Sequence, residues 1–110
     1  MYKLNVNLEF GFKNEKGEPE KPQSVAMAII LQGVASKYPN GIDGAYRRTF
    51  GRLQIKFEEA VKNNIYKIAL ESDEYDLIKN VLADGKFPPV WSKQVLMLEE
   101  EFAKCEKLKL

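Results

Sequence analysis

Four cations on one stretch are the residues best placed to do chemistry. Arg48, Arg52 and Lys56 recur every four positions, so a helix carries them on one face, with Arg47 one step round it. Guanidinium forks match phosphate oxygens, and such a row can hold a nucleic-acid backbone or a nucleotide. The simpler reading is a solvated helix face that pairs with acidic residues later in the chain. Tyr46 and Phe50 belong to the apolar stripe of the same segment, so no aromatic side chain is interleaved with the row to stack on bases. Trp91 and Tyr66 are candidate anchors at a protein interface, where such side chains are favoured, although core packing is the simpler role for Trp91.

Other chemistries find little in the sequence. The chain carries no histidine, which removes the commonest general base and the commonest metal ligand. Ser24, Ser36, Ser72 and Ser92 lie in no G-x-S-x-G elbow. Cys105 occupies an apolar helical position beside Lys104 and reads as a small core residue rather than an activated thiol. Glu71, Asp73, Glu74 and Asp76 supply oxygen ligands of the kind a divalent cation takes, but a strand end and a helix N-terminus explain their positions more simply. Gly41 and Gly44 flank Ile42-Asp43 without the rest of a phosphate-binding loop. The expectation is therefore no catalytic residue, no cofactor and no metal.

Positioning the four cations falls to a set of elements legible from periodicity. Tyr2, Leu4, Val6, Leu8, Phe10 and Phe12 alternate with polar or small residues, which predicts a strand over 2–12. Residues 13–23, KNEKGEPEKPQ, read as an exposed loop, with room for a short hairpin around Asn14 to Gly17. No charge occurs between Lys21 and Lys37, in a chain where charged residues make up 30%. The segment Ser24 to Tyr38, apolar nearly all round, predicts a central helix capped by Ser24 and wrapped by its neighbours, with self-association as the lesser reading.

Pro39, Asn40 and Gly41 make a turn, and Asp43 caps a second helix running to about Asn63. Tyr46, Phe50, Leu53, Phe57 and Ala60 form its buried face. Ile65 to Glu71 predicts a second strand, Ser72 caps a third helix that ends at Gly85 in a C′ position, and a fourth starts near Val90 and includes Cys105. The fold class is α+β in the order β-α-α-β-α-α, a small antiparallel two-stranded sheet packed on about four helices. Two strands are marginal alone, so the helices, or another copy of the chain, must support them.

At 110 residues the chain, 1–110, is expected to form one globular domain. A lone cysteine points to a reducing compartment. The opening MYKLNVNLEF alternates where a signal peptide would be continuously apolar, and no run is long enough to span a bilayer. The net charge of +1 hides a division: residues 1–57 hold nine basic against five acidic side chains, and residues 58–110 hold eight against eleven. Oppositely charged halves permit head-to-tail association or a basic patch on one side and by themselves establish neither.

Three stretches together resemble those of small accessory proteins of tailed bacteriophages: an opening strand leading through NEKGEPEKP into an apolar helix, a middle helix of the YRRTFGRLQIKFEEA kind, and IALESDEYDLIKNVL before a closing helix. The resemblance covers nearly the whole chain. It implies a small accessory protein acting in the cytoplasm of an infected bacterium or associated with the particle. The missing catalytic toolkit, the small sheet and the charge-divided halves point to a non-enzymatic protein working through a protein partner, as a homo-oligomer. Nucleic-acid or nucleotide binding through the basic face of the 43–63 helix is the alternative, and neither membrane nor metal enters.

Overall fold

The computed structural model describes residues 1–107, and residues 108–110 lie outside the described residues. Strand β1 (Tyr2–Asn5) is followed by helices α1 (Pro22–Lys37) and α2 (Gly44–Lys62), strand β2 (Lys67–Leu70), helix α3 (Ser72–Asp84), a 3₁₀ turn at Pro89–Trp91, helix α4 (Ser92–Ala103) and a two-residue strand β3 (Glu106–Lys107). The α+β class and the β-α-α-β-α-α order are those the sequence predicts. β1 and β2 form the expected antiparallel pair, with Leu4 opposite Ile68 and Tyr2 opposite Leu70. β3 adds to the far edge of β1, antiparallel, so that β1 is the central strand.

β1 is much shorter than the alternation over 2–12 suggests. Its end has a local cause: the Asn7 amide donates to Asn5 Oδ1 at 3.0 Å, and the Leu8 amide donates to the Val6 carbonyl at 2.8 Å. Both bonds turn the backbone on itself, and Gly11 at φ 87° takes it through the left-handed region. Val6 and Phe10 remain buried, so the alternation reports burial correctly while the ladder stops. The buried Gln94 amide on α4 holds this irregular run by donating to the Phe10 carbonyl at 2.9 Å. The hairpin expected at Asn14 to Gly17 is present, closed by Gly17 N–H to Asn14 O at 3.0 Å and Asn14 N–H to Glu18 O at 2.8 Å.

Helix α1 begins two residues earlier than Ser24. Pro22 occupies the first turn, where its missing N–H costs nothing, and Lys21 stands at the N-cap without a side-chain bond. The exposed loop therefore closes at Lys21, not at residue 23, and Ser24 faces solvent. α2 starts as expected, with Asp43 Oδ1 accepting from the Tyr46 amide at 3.0 Å. In α3 the cap is Glu71 and not Ser72: Glu71 and Glu74 form a reciprocal capping box, which satisfies two orphan amides where a serine would satisfy one. Gly85 ends that helix with φ −69° and ψ 153°, so it is extended rather than left-handed. Its lack of a side chain serves packing instead. A Cβ there would lie 2.4 Å from the Val81 carbonyl oxygen and 3.0 Å from Gly33 Cα. α4 stops at Ala103, which leaves Cys105 beyond the helix, half-buried, its thiol donating to the Lys3 carbonyl at 3.1 Å.

One core joins sheet and helices. Leu4, Ile29, Ile30, Leu53, Ile78 and Leu98 are each wholly removed from solvent, and side chains of this size contribute roughly 1.5–3 kcal/mol apiece on burial. An aromatic column closes the sheet end: Tyr2 stacks on Tyr75 with ring centroids 3.8 Å apart, and Tyr75 on Phe102 at 4.7 Å.

Candidate functional site

The two polar flanks of α2 have different fates. Thr49, Arg52 and Lys56 lie on the side facing the start of α3. The Arg52 guanidinium pairs with Asp73, whose Oδ2 also accepts from Thr49 Oγ1 at 2.9 Å. Burial raises the Asp73 carboxyl, but the bonds from Thr49 and Arg52 and the Arg52 charge outweigh it and hold the group below the usual carboxylate range. Lys56 Nζ donates to Glu74 Oε1 at 2.6 Å and to the Ala69 carbonyl at 2.9 Å. The Glu74 side chain is entirely buried, and the same oxygen accepts from the Glu71 amide at 2.7 Å. Two members of the predicted basic row thus clamp α2 onto the β2–α3 junction, in the manner of a helix face pairing with the acidic half of the chain. The acidic residues Glu71, Asp73 and Glu74 are taken up by the cap and the clamp.

Arg47 and Arg48 are exposed, and no carboxylate among the described residues pairs with either. Both guanidinium groups turn back toward Gly44 at the start of the helix. The structure therefore splits the four cations into a buried-side pair and a free pair. Tyr46, between them and the core, has its phenol pushed up to about 12 by burial, with Tyr38 adding to the shift; the two rings lie 4.9 Å apart. Burial likewise pushes the Cys105 thiol up, which opposes nucleophilic activation. Among the described residues no cluster of three or more metal-ligating side chains occurs, and no helix is long and apolar enough to cross a membrane.

The sequence reading of α1 as a fully wrapped core helix needs correction. Val25, Ala26, Ile29, Ile30, Gly33 and Val34 are buried in a helix that packs mainly on α2 and α3, but Ser24, Ala28, Leu31 and Ala35 face solvent. Those four recur at intervals of four, three and four, which is one continuous stripe of the helix. Leu31 is 47% exposed. Among the described residues four helices and three short strands are too few to surround a sixteen-residue rod, and they leave the side opposite α3 open.

Two shallow hollows border this stripe. On the α2 side, Met27, Ala28, Leu31, Phe57, Glu58 and Val61 line a space of about 270 Å³. At its wall sits Gln23, 1% exposed, whose amide nitrogen donates to the Ile65 carbonyl at 2.8 Å while its oxygen has no partner among the described residues. On the other side Phe12, Glu20, Ser24, Ala28, Ile29 and Trp91 border a space of about 170 Å³. Trp91, half-buried, tilts against Phe12 with centroids 6.2 Å apart, so it both packs and lines this hollow. Tyr66, 38% exposed, lies away from the stripe beside the irregular run that follows β1.

The stripe, its bordering hollows and the free Arg47 flank make an uncharged apolar face with charged edges. Sequence reasoning found the absence of charge but not the exposure; the signal was available in Ser24, Ala28 and Ala35, whose small side chains repeat along one stripe. No protein-family model, curated protein or solved structure matches the chain. The class is set by fold and surface alone: an α+β domain presenting one open helix.

Proposed function

We propose that this chain is a non-catalytic protein-binding module whose contact surface is the charge-free face of α1. The observation that carries the reading is the exposure of Ser24, Ala28, Leu31 and Ala35 in a segment without a charge from Pro22 to Ser36. Solvated helix faces normally carry charge, and a stripe left apolar beside two hollows suits helix-in-groove or helix-on-helix contact. The catalytic toolkit fits the same reading: histidine is missing, and the acidic residues nearest to a cluster serve a helix cap and an ion-pair clamp. From the resemblance to phage accessory proteins comes the setting, an infected bacterial cytoplasm or the particle itself.

A photo-crosslinking residue placed at Leu31, compared with one at Ile55, tests the surface. Ile55 is 55% exposed but lies on the far side of α2. In an infected-cell lysate the expected result is a discrete adduct of defined mass from position 31, absent from position 55 and abolished by Ala28→Arg. Equal adducts at both positions, or none at position 31, refute the reading.

A further inference from the structure

The edges of the α1 face point to its occupant, and this inference rests on the protein-binding reading above. We infer that the face is covered by the same face of a second copy, with the two α1 helices antiparallel about a two-fold axis through the midpoint between Ala28 and Leu31.

The stripe is self-complementary under that operation. It exchanges Ser24 with Ala35 of the second copy and sets Leu31 of each copy over Ala28 of the other. Small residues at both ends let the backbones approach, and the protruding Leu31 meets the hollow beside Ala28 that Met27 and Val61 border.

Charge supplies the second argument. Arg47, Gln54, Glu58 and Val61 recur at seven, four and three, so they occupy the flank of α2 opposite to the Arg52–Lys56 clamp. Glu58 and Val61 border the stripe at its Ser24 end. Arg47 lies at the other end, since the α1–α2 connection brings Tyr46 against Tyr38. Eleven residues separate Arg47 from Glu58 and eleven separate Ser24 from Ala35, about 16 Å of helix in each case. The two-fold operation keeps each flank on its own side and reverses its direction. Arg47 of one copy therefore faces Glu58 of the other, twice per dimer.

The opposite flank repeats the pattern independently. Glu20 borders the hollow at the Ser24 end. Lys86 sits at the Ala35 end, where its amide donates to Ser36 Oγ at 2.8 Å. The same operation sets Lys86 against Glu20 of the second copy. All four charges are exposed in the single chain and unpaired among its described residues. A parallel arrangement would place like charges together on both flanks and is disfavoured.

Sedimentation velocity on the purified full-length chain over a range of concentrations tests the inference. A monomer–dimer equilibrium is expected. Arg47→Glu and Glu58→Arg each replace two attractive contacts with two repulsive ones and should raise the dissociation constant about tenfold or more, whereas the double reversal restores it. Restoration separates a cross-copy pair from a merely structural role. Orientation is read separately in a Cys105→Ser background under mild oxidant. Ser24→Cys mixed with Ala35→Cys should form a disulfide-linked heterodimer, and neither variant alone should link to itself. A monomer at every concentration, a double reversal as weak as the singles, or self-linking of either single variant overturns the pairing. If the purified chain stays monomeric while the Leu31 crosslinker still captures an adduct of another mass, self-pairing fails and the protein-binding reading stands. If no adduct forms either, both fail.

Discussion

Gly33 and Gly51 stand in the middle of α1 and α2, and replacing each by alanine should move stability in opposite directions. Alanine in a helix interior gains about 0.5–1 kcal/mol over glycine, because glycine loses more backbone freedom on folding. At Gly51 no atom of the described residues lies within 4 Å of an added Cβ apart from its chain neighbours and the helix's own backbone, so Gly51→Ala should be stabilised by that full amount. At Gly33 the added atom meets Val81 Cβ at 3.0 Å, Phe87 Cζ at 3.2 Å and the Val81 carbonyl oxygen at 3.3 Å. Forcing a methyl group into a packed contact of this kind costs about 1–3 kcal/mol. The propensity gain cannot offset the upper part of that range, and Gly33→Ala should fall below Gly51→Ala by about 1–3 kcal/mol.

The close approach of α1 and α3 is what the comparison measures. Val81 is fully buried and Gly85 sits against Gly33, so α3 can retreat only by opening the core around Ile30 and Ile78. Urea unfolding followed by circular dichroism supplies the assay, with all variants at one protein concentration so that any self-association affects them equally. The midpoint should rise for Gly51→Ala and fall for Gly33→Ala at unchanged slope. Gly85→Ala, whose Cβ would meet a backbone oxygen at 2.4 Å without any helix-propensity gain, should fall further. If Gly33→Ala rises as much as Gly51→Ala, the two helices are not in the close contact described.

Three more outcomes are expected. Ile30→Asp places a charge where the side chain is wholly buried and should abolish cooperative folding; a near-native thermal midpoint would show that the position reaches water. Lys56→Met strands the buried Glu74 carboxylate, and breaking a fully buried pair costs about 3–5 kcal/mol. The 30% exposure of the lysine side chain lowers that to about 2–3 kcal/mol, and adding Glu74→Gln should recover part of it; no recovery would mean that the lysine acts by packing alone. Asp73→Asn addresses pH. A carboxyl held below its unfolded value stabilises the native state above the ordinary carboxylate range and loses that contribution as pH falls through the lowered value. The variant should therefore lose stability less steeply than the parent below about pH 4, and identical acid unfolding curves would refute the role of the Arg52–Asp73 pair.

The elements with a single clear period were legible in the sequence, and the departures come from groups that periodicity does not weigh. α2 was readable in full because Asp43, the stripe from Tyr46 to Ala60 and the following asparagines agree on one helix. β1 was not, because alternation over 2–12 reports which side chains are buried and says nothing of the Asn5 side chain that intercepts the Asn7 amide. Nor does any pattern announce Gln23 and Gln94, two buried amides that tie loop carbonyls to helices. The cap at Glu71 was hidden by a serine at the next position, a residue type preferred at N-caps, which glutamate is not. For the candidate site, composition marked α1 as special, but a segment without charge reads the same whether its neighbours cover it or a partner does.

The partition of the α2 cations weighs differently on the two functional readings. Four free cations along a helix would release about 3.6 counterions from a phosphate backbone, whereas Arg47 and Arg48 alone release about 1.8. Salt-dependent attraction of that size is no more than most solvated helices have, and the two guanidinium groups fold toward Gly44 instead of spreading along a groove. For phosphate binding the loss of Arg52 and Lys56 to Asp73 and Glu74 is damaging. For a protein interface it is neutral, since one flank of α2 is fixed to α3 while the other, with Arg47 and Glu58 at its two ends, stays free beside the uncharged stripe. The clamp has a further consequence: it sets the rotation of α2 about its own axis, and that rotation is what carries Arg47, Gln54, Glu58 and Val61 to the border of α1. The pairing that removes half of the basic row from phosphate chemistry is thus the contact that orients the remaining flank toward the open helix.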